Sequence, residues 1–234
     1  MTKAIVFDTE TTSAKQPRKI IEAAWCMLDD AEVFGEISLT GDEFQGLFDP
    51  GMPISLGAMA THHILQSEVD GQTPECEFRF PEGIEYVIGH KIDFDMESIG
   101  YPDDGPLKRI CTLALARHHL PDLDSHSQSA LMYHFFEPRE AREMIKGAHR
   151  ASDDIMNCAH VLDQLSTIIL AKGIEFSTFE EMWKESERCR IPTKMDFGKH
   201  EGMPITELPY SYKNWLLGQD WTDKYLCKAV MATM

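Results

Sequence analysis

Residues 4–12 read AIVFDTETT, four apolar residues followed at once by an acidic, threonine-rich turn. A continuously apolar run of this kind fits a strand buried on both faces, which belongs inside a sheet and not at its edge. Working outward, IIEAAWCML at 20–28 reads as a second strand, and FQGLF at 44–48, closed by the turn signal DPG, as a third. SLGAMATHHI at 55–64 reads as a short helix, followed by an acidic, proline-containing stretch over 66–82. IEYVIGHKIDFDMESIG at 84–100 reads as strand, turn and helix start, and RICTLALARHHL at 109–120 as a short strand running into a helix. SQSALMYHFF at 127–136 is helical. Between Ser152 and Lys172, Ile155, Ala159, Leu162, Leu165 and Ile169 recur at helical spacing before Gly173 ends the pattern. Strands cluster early and helices late, so the expected fold class is α/β with a mixed sheet, not a regular βαβ repeat.

The chain has 234 residues, 43% hydrophobic and 26% charged, a mixture that excludes a disordered tail, a collagen-like repeat and a coiled coil. Its organisation reads as a main domain over 1–172, a linker over 173–192 where EEMWKESERCRIP is polar and stops at Pro192, and a small module over 193–234. That module is punctuated by Gly and Pro and is aromatic, with Trp215 and Trp221 as core or contact residues. The six cysteines show no CxxC pair, so they read as reduced, mostly buried thiols and not as a zinc site or a disulfide framework. No apolar run approaches the roughly 20 residues of a membrane span, and the first residues run into a strand pattern instead of a signal peptide. A cytoplasmic protein that does not engage a membrane is the expectation.

Charge narrows the partners. Twenty-two basic residues stand against 39 acidic ones, a net charge of −17. Residues 1–172 hold 14 Lys/Arg and 29 Asp/Glu, and residues 173–234 hold 8 and 10. A protein that grips long duplex DNA shows a basic face, because neutralising phosphates and releasing their counterions supplies most non-specific affinity. Composition therefore argues against a nucleic-acid partner unless a site carries it.

Such a site is suggested by acids at three places. Asp8 and Glu10 stand two apart at the end of the first strand, where a period of two sets both carboxylates on one face; in isolation they are equally the polar caps of a strand-ending turn. Asp95 lies where a helix begins after a strand, a position at which a carboxylate also serves as a plain cap, and Asp93 is its rival. His149 and Asp154 are five apart, which within one helix sets them about 140° around the axis. They converge only if His149 lies in the preceding loop, which Gly147 permits, and Asp154 in the first turn; Ser152 as cap with Asp153 and Asp154 as ordinary first-turn acids is the alternative. Carboxylates brought together repel and raise one another's pKa unless cations lie between them. Their hard oxygens suit Mg²⁺ or Mn²⁺, a pair of which clamps the attacking and leaving oxygens of phosphodiester hydrolysis, and a neutral histidine takes a proton from attacking water.

The three stretches VFDTETT, GHKIDFD and HRASDD, in this order, resemble the exonuclease motifs of the DnaQ-like, or DEDDh, 3′–5′ exonucleases. SLGAMATHHI, ICTLALARHHLP and FGKHEGMPITELP are similar to the corresponding stretches of the family's bacterial exodeoxyribonuclease X branch, so the likeness runs along nearly the whole chain. The resemblance implies a ribonuclease H-like mixed sheet flanked by helices, with a small C-terminal module. It implies that Asp8, Glu10, Asp95 and Asp154 hold two Mg²⁺ ions, for which Mn²⁺ substitutes, and that His149 is the general base. Asp95 is preferred to Asp93 because the family's second motif ends in Phe-Asp, here Phe94-Asp95. It further implies that Thr9, Thr11, Met59, His62, His90 and Lys91 meet the substrate. The family usually has Asn where this chain has Lys91, which alters the local hydrogen bonding and offers the phosphates a cation.

The function so implied is release of mononucleotides from the 3′ end of DNA, in DNA repair or nucleic-acid turnover. An RNA-directed 3′ exonuclease and a catalytically silent, polymerase-associated binding module are the alternatives. An exonuclease needs only a few nucleotides of a frayed 3′ end, so the acidic charge predicts weak, salt-sensitive, distributive action. Other residues keep two readings. Glu22 is either the glutamate common on the second strand of such enzymes or a strand-face acid in solvent. Met59 and His62 either approach the terminal nucleotide or pack a short helix. Arg139, Arg142, Lys146 and Arg150 read as a salt-bridged exposed helix. Lys15, Arg18 and Lys19 meet phosphate or solvent, Lys199 marks a turn or a phosphate contact, and the His118–His119 pair reads as a solvated helix end.

Overall fold

The computed structural model describes residues 3–28, 39–195, 197–219 and 222–234. Six strands form one sheet: β1 (Lys3–Thr11), β2 (Ile20–Leu28), β3 (Leu39–Asp49), β4 (Thr73–Pro74), β5 (Ile84–Gly89) and β6 (Lys108–Cys111), in the spatial order β4-β3-β2-β1-β5-β6. β1 and β2 pair antiparallel, as do β2 and β3, whereas β5 runs parallel to both β1 and β6. The mixed α/β sheet read from the sequence is thus present. Ala4, Ile5, Val6 and Phe7 are all 0% exposed, as a strand between two neighbours and covered on both faces must be.

The helices are α1 (Leu56–His62), α2 (Gln66–Val69), α3 (Ile92–Ser98), α4 (Thr112–His119), α5 (Gln128–Phe135), α6 (Pro138–Met144), α7 (Ala151–Ala171), α8 (Phe179–Cys189), α9 (Tyr210–Leu217) and α10 (Lys224–Met231). Alternate residues of β1 face opposite ways. Ile5 and Phe7 join Ile92 and Met96 of α3 in one core cluster, where Phe7 stacks on Phe78 at 5.5 Å and meets Phe80 edge-on at 4.8 Å. α7 packs against β1 and β2. Gly89, ending β5, is forced by proximity: a Cβ there would lie 2.9 Å from the Phe7 carbonyl oxygen. The helix that follows it therefore starts close beside β1.

The chain divides into two compact units, Met1–Ser186 and Glu187–Met234. The stretch 173–192 expected as a linker contains α8, because Phe179 and Met182 recur at helical spacing within the polar run and are buried. The second unit has its own core of Met195, Ile205, Leu208, Leu216, Leu226, Ala229 and Val230. Trp215 is not part of that core, being 46% exposed, and Trp221 lies outside the described residues. Cys26, Cys111 and Cys158 are buried thiols. No helix among the described residues is long and apolar enough to cross a membrane. Phe7→Ala removes the largest fully buried side chain of the central strand and should cost about 3–5 kcal/mol of stability; urea unfolding measures it, and a loss below about 1 kcal/mol would contradict this core assignment.

Candidate active site

The site starts at the C-terminal end of β1, where Asp8 and Glu10 lie half-buried on the strand face opposite Phe7 and Thr9. Thr9, expected to meet the substrate, reaches Asp95. Its backbone N–H and its hydroxyl both donate to Oδ1 of Asp95, at 3.1 and 2.7 Å, which fixes that carboxylate and leaves Oδ2 uncommitted to Thr9. Asp95 sits in the first turn of α3 and is 3% exposed. Its rival Asp93 is drawn elsewhere, to Arg109 at 3.3 Å, the same guanidinium that holds Asp103 at 2.8 Å.

The third acidic stretch folds as the convergent geometry requires. α7 starts at Ala151 after Arg150, so Ser152 lies inside the helix and does not cap it. His149 is in the loop before it, in the left-handed region at φ 70°, and its backbone N–H donates to Oδ2 of Asp154 at 3.1 Å. Gln128 of α5 donates to Oδ1 of Asp154 at 3.3 Å. A Cβ at Gly147 would lie 2.2 Å from Oδ2 of Asp153, so a larger residue there would displace the Asp153 side chain. The outcome is that Glu10, His149 and Asp154 each present a ligand atom, all within 4.8 Å of one another.

Glu22 decides where α7 begins, and the solvent-exposed reading of it is overturned: it is 0% exposed. It faces Glu10 directly across the β1/β2 ladder, and two like charges there would repel. Arg150 neutralises it, with Nη2 at 2.8 Å from Oε1, while the Ala151 N–H donates to Oε2 at 3.0 Å and Gln45 to Oε1 at 2.9 Å. These bonds hold the Glu22 carboxyl below its ordinary value despite burial. They also pin the residues on the C-terminal side of the strained His149. Spacing offered no sign of this role, because Glu22 lies 128 residues before Arg150.

Electrostatics marks the remaining acids as unusual. Burial first, then Asp95, Asp154, Glu10 and Glu22, raise Asp8 well above the carboxylate range, and every one of those neighbours is an acid. Burial and the charges of Asp154, Glu22 and Asp95 push Glu10 up to about 9, against a smaller pull from Arg150. Asp95 is pushed up to about 7 by burial against the opposing Thr9 hydrogen bonds, and burial raises Asp154 as well. Four such oxygen-bearing groups, opposed by smaller pulls from Arg150 on Glu10, Arg18 on Asp95 and His149 on Asp154, fit hard divalent cations.

The other expected contacts divide. The half-buried His90 bonds within the fold: Nδ1 is 2.9 Å from the Thr112 hydroxyl and Nε2 is 3.0 Å from the His126 carbonyl, with burial lowering its pKa to about 4. His62 is buried at the end of α1, its Nδ1 accepting from the Ile64 N–H at 3.0 Å. Thr11 is buried and donates to the Ser13 carbonyl at 3.0 Å. Met59 is half-buried on α1. Lys91 is exposed, takes φ 75° at the start of α3, and lies 5.4 Å from the Phe94 ring centre. Arg18 is buried against Phe94, Ser98 and Glu97, and Lys19 pairs with Glu75, so neither is a bare surface cation. His119 is no solvated helix end: it is buried, with Nε2 2.8 Å from Oε1 of Glu185.

A model of the RNase_T family, described as exonuclease, matches residues 5–162 of this chain. The chain belongs to this exonuclease family. The matched stretch contains Asp8, Glu10, Asp95, His149 and Asp154. Two curated relatives of this exonuclease chain are PolC-type DNA polymerases III. That of Lacticaseibacillus paracasei is 27% identical over 68% of this chain and 11% of its own length, and that of Pediococcus pentosaceus is 29% identical over 57% and 10%. The chain thus spans about a tenth of the length of these relatives. Among solved structures, Exonuclease X in complex with 5′ overhanging duplex DNA is 28% identical, with a TM-score of 0.56, over 78% of this chain and 99% of that one. Escherichia coli Exonuclease I with a dT13 oligonucleotide, 14% identical over 74% of this chain and 43% of its own, has a TM-score of 0.56 and is alike in fold.

Two outcomes test the geometry of the exonuclease domain. Glu10 and Asp95 hold protons more tightly when folded than when unfolded, so their contribution to stability is full below the unfolded value near 4 and is lost as pH rises through about 7 and about 9. In EDTA the melting temperature should therefore fall from roughly pH 6 to roughly pH 9, and Asp8→Asn should flatten the fall; a melting temperature that climbs over this window would overturn the electrostatic account. Glu22→Leu leaves the Ala151 N–H without its acceptor and should cost about 1–3 kcal/mol in chemical unfolding. It should also lower nuclease turnover about 10–100-fold, and unchanged turnover would dissociate Glu22 from the site.

Proposed function

We propose that this exonuclease domain is a divalent-cation-dependent 3′–5′ exodeoxyribonuclease that releases mononucleotides, serving DNA repair or nucleic-acid turnover. The observation that carries this reading is the meeting of Glu10, Asp154 and His149 within 4.8 Å, next to the mutually repelling Asp8 and Asp95. Asp8, Glu10, Asp95 and Asp154 would hold two Mg²⁺ ions, with Mn²⁺ as a substitute. Such ions, when bound, neutralise the carboxylates and stabilise charge on the attacking and leaving oxygens.

The chain's own residues do the rest. Thr9 holds Asp95 in one orientation, so one carboxylate oxygen is presented without a search through rotamers. The left-handed backbone at His149 turns its exposed ring to the front of the acids, where it accepts the proton of the attacking water. The carboxylates of Glu10 and Asp154 beside it stabilise the imidazolium that results. Lys91 and Met59 offer a cation and an apolar surface to the terminal nucleotide. DNA is favoured over RNA as substrate because the 28%-identical Exonuclease X is bound to DNA. The convergence of all five side chains speaks against a silent binding module.

The test is release of a 3′-terminal label from matched DNA and RNA oligonucleotides, with Mg²⁺ or EDTA. Release is expected from DNA with Mg²⁺ and not with EDTA. His149→Ala should lower it about 10²–10⁴-fold, and Asp8→Ala should abolish it with the fold intact by circular dichroism. Activity surviving both substitutions would refute the reading, and faster release from RNA would replace DNA as the substrate.

A further inference from the structure

We infer that the C-terminal unit carries a binding site for single-stranded nucleic acid, formed by Tyr212, Trp215 and Lys199. Within α9, Lys213 and Leu216 turn inward: Leu216 is in the core, and the buried Lys213 ammonium donates to the carbonyls of Thr233 and Thr206 at 3.0 and 3.4 Å. That orientation sends Tyr212 and Trp215, three residues apart, to a different flank of the helix. Their rings stack at 5.2 Å with an interplanar angle of 24°; Tyr212 is half-buried against the core of the unit and supports Trp215, which is 46% exposed and meets solvent.

The loop before α9 brings charge to the same place. Gly198 takes φ 72°, a turn that places the exposed Lys199 with its ammonium 5.1 Å from the Tyr212 ring centre, and the His200 ring lies 4.5 Å from Tyr212. Stacked rings interleaved with cations are the pattern that tracks single strands, bases on the aromatics and backbone phosphates on the cations. Charge complementarity favours this occupant over a protein. Residues 187–234 hold seven Lys/Arg against six Asp/Glu, whereas residues 1–186 hold 15 against 33, so of the two units the one bearing these rings does not repel a polyanion by net charge. Nucleotides thus stack on Trp215 and its neighbour while Lys199 meets the backbone. This site lies outside the residues assigned to hydrolysis and does not depend on that assignment.

The experiment is fluorescence anisotropy of a fluorescein-labelled oligothymidylate with the full chain in EDTA, which separates binding from turnover. Trp215→Ala should weaken binding about tenfold, the loss of one base stack, and Trp215→Phe should retain most of it. Lys199→Ala should reduce the slope of log affinity against log salt by about 0.7, one phosphate on a single strand. Thermal melting checks each fold; should Trp215→Ala not fold, Trp215→Phe/Lys199→Glu, which keeps a ring on the helix, should weaken binding through the reversed charge. Binding that is absent in EDTA, or unchanged by the Trp215 and Lys199 substitutions, overturns the inference and leaves a protein partner as the occupant. Failure of nucleotide release would leave this binding result intact, so the two readings fail separately.

Discussion

The structure depends on holding four carboxylates where they repel one another. Burial first, and then the charges of Asp95, Asp154 and Glu22 around them, raise the proton affinity of Asp8 and Glu10. Such a cluster stays assembled only if the backbone beneath it is held by interactions that have nothing to do with the acids themselves. The buried central strand is the first of these. Its four residues without solvent exposure set the position of Asp8 and Glu10 by hydrophobic burial, which their charge does not oppose.

The second support is a set of polar residues, each fixing one element against β1. Thr9 reaches Asp95 of α3 from the far face of the strand, and Glu22 reaches Arg150 and Ala151 at the start of α7 from the adjacent strand. Close approach adds to this at Gly89, where a Cβ would meet the Phe7 carbonyl oxygen and the Ile92 side chain. The consequence is a loop whose left-handed residue, His149, is bracketed by the Asp154 carboxylate and the Glu22 clamp. Strain of that kind at a non-glycine residue persists only when its surroundings over-determine it.

The two units of the chain solve different electrostatic problems. The exonuclease domain concentrates acids, a poor surface for a long polyanion and a good one for cations. The smaller unit is near neutral and displays aromatic rings beside a lysine.

Much of this was legible in the sequence because it is written in local patterns. An apolar run of four residues specifies an interior strand, period two sets Asp8 and Glu10 together, and the five-residue gap from His149 to Asp154 is useful only with a loop before the helix. The similarity of three ordered motifs supplied the family and the preference for Asp95. What no local pattern contained were the partners of polar groups far apart in the chain. Asp93 and Asp95 are equivalent acids until Arg109 draws the first and Thr9 the second. Glu22 is a strand-face acid until Arg150 arrives from 128 residues away. His62 and His119, whose surroundings spacing left open, are buried, and the half-buried His90 is bonded through both ring nitrogens to Thr112 and His126. Hydrophobic periodicity is a property of a segment, so the sequence by itself determined the elements and the acids that end them. Hydrogen-bond partnership and desolvation are properties of pairs and enclosures, so only the tertiary structure decided which polar residues face the site and which hold it in place.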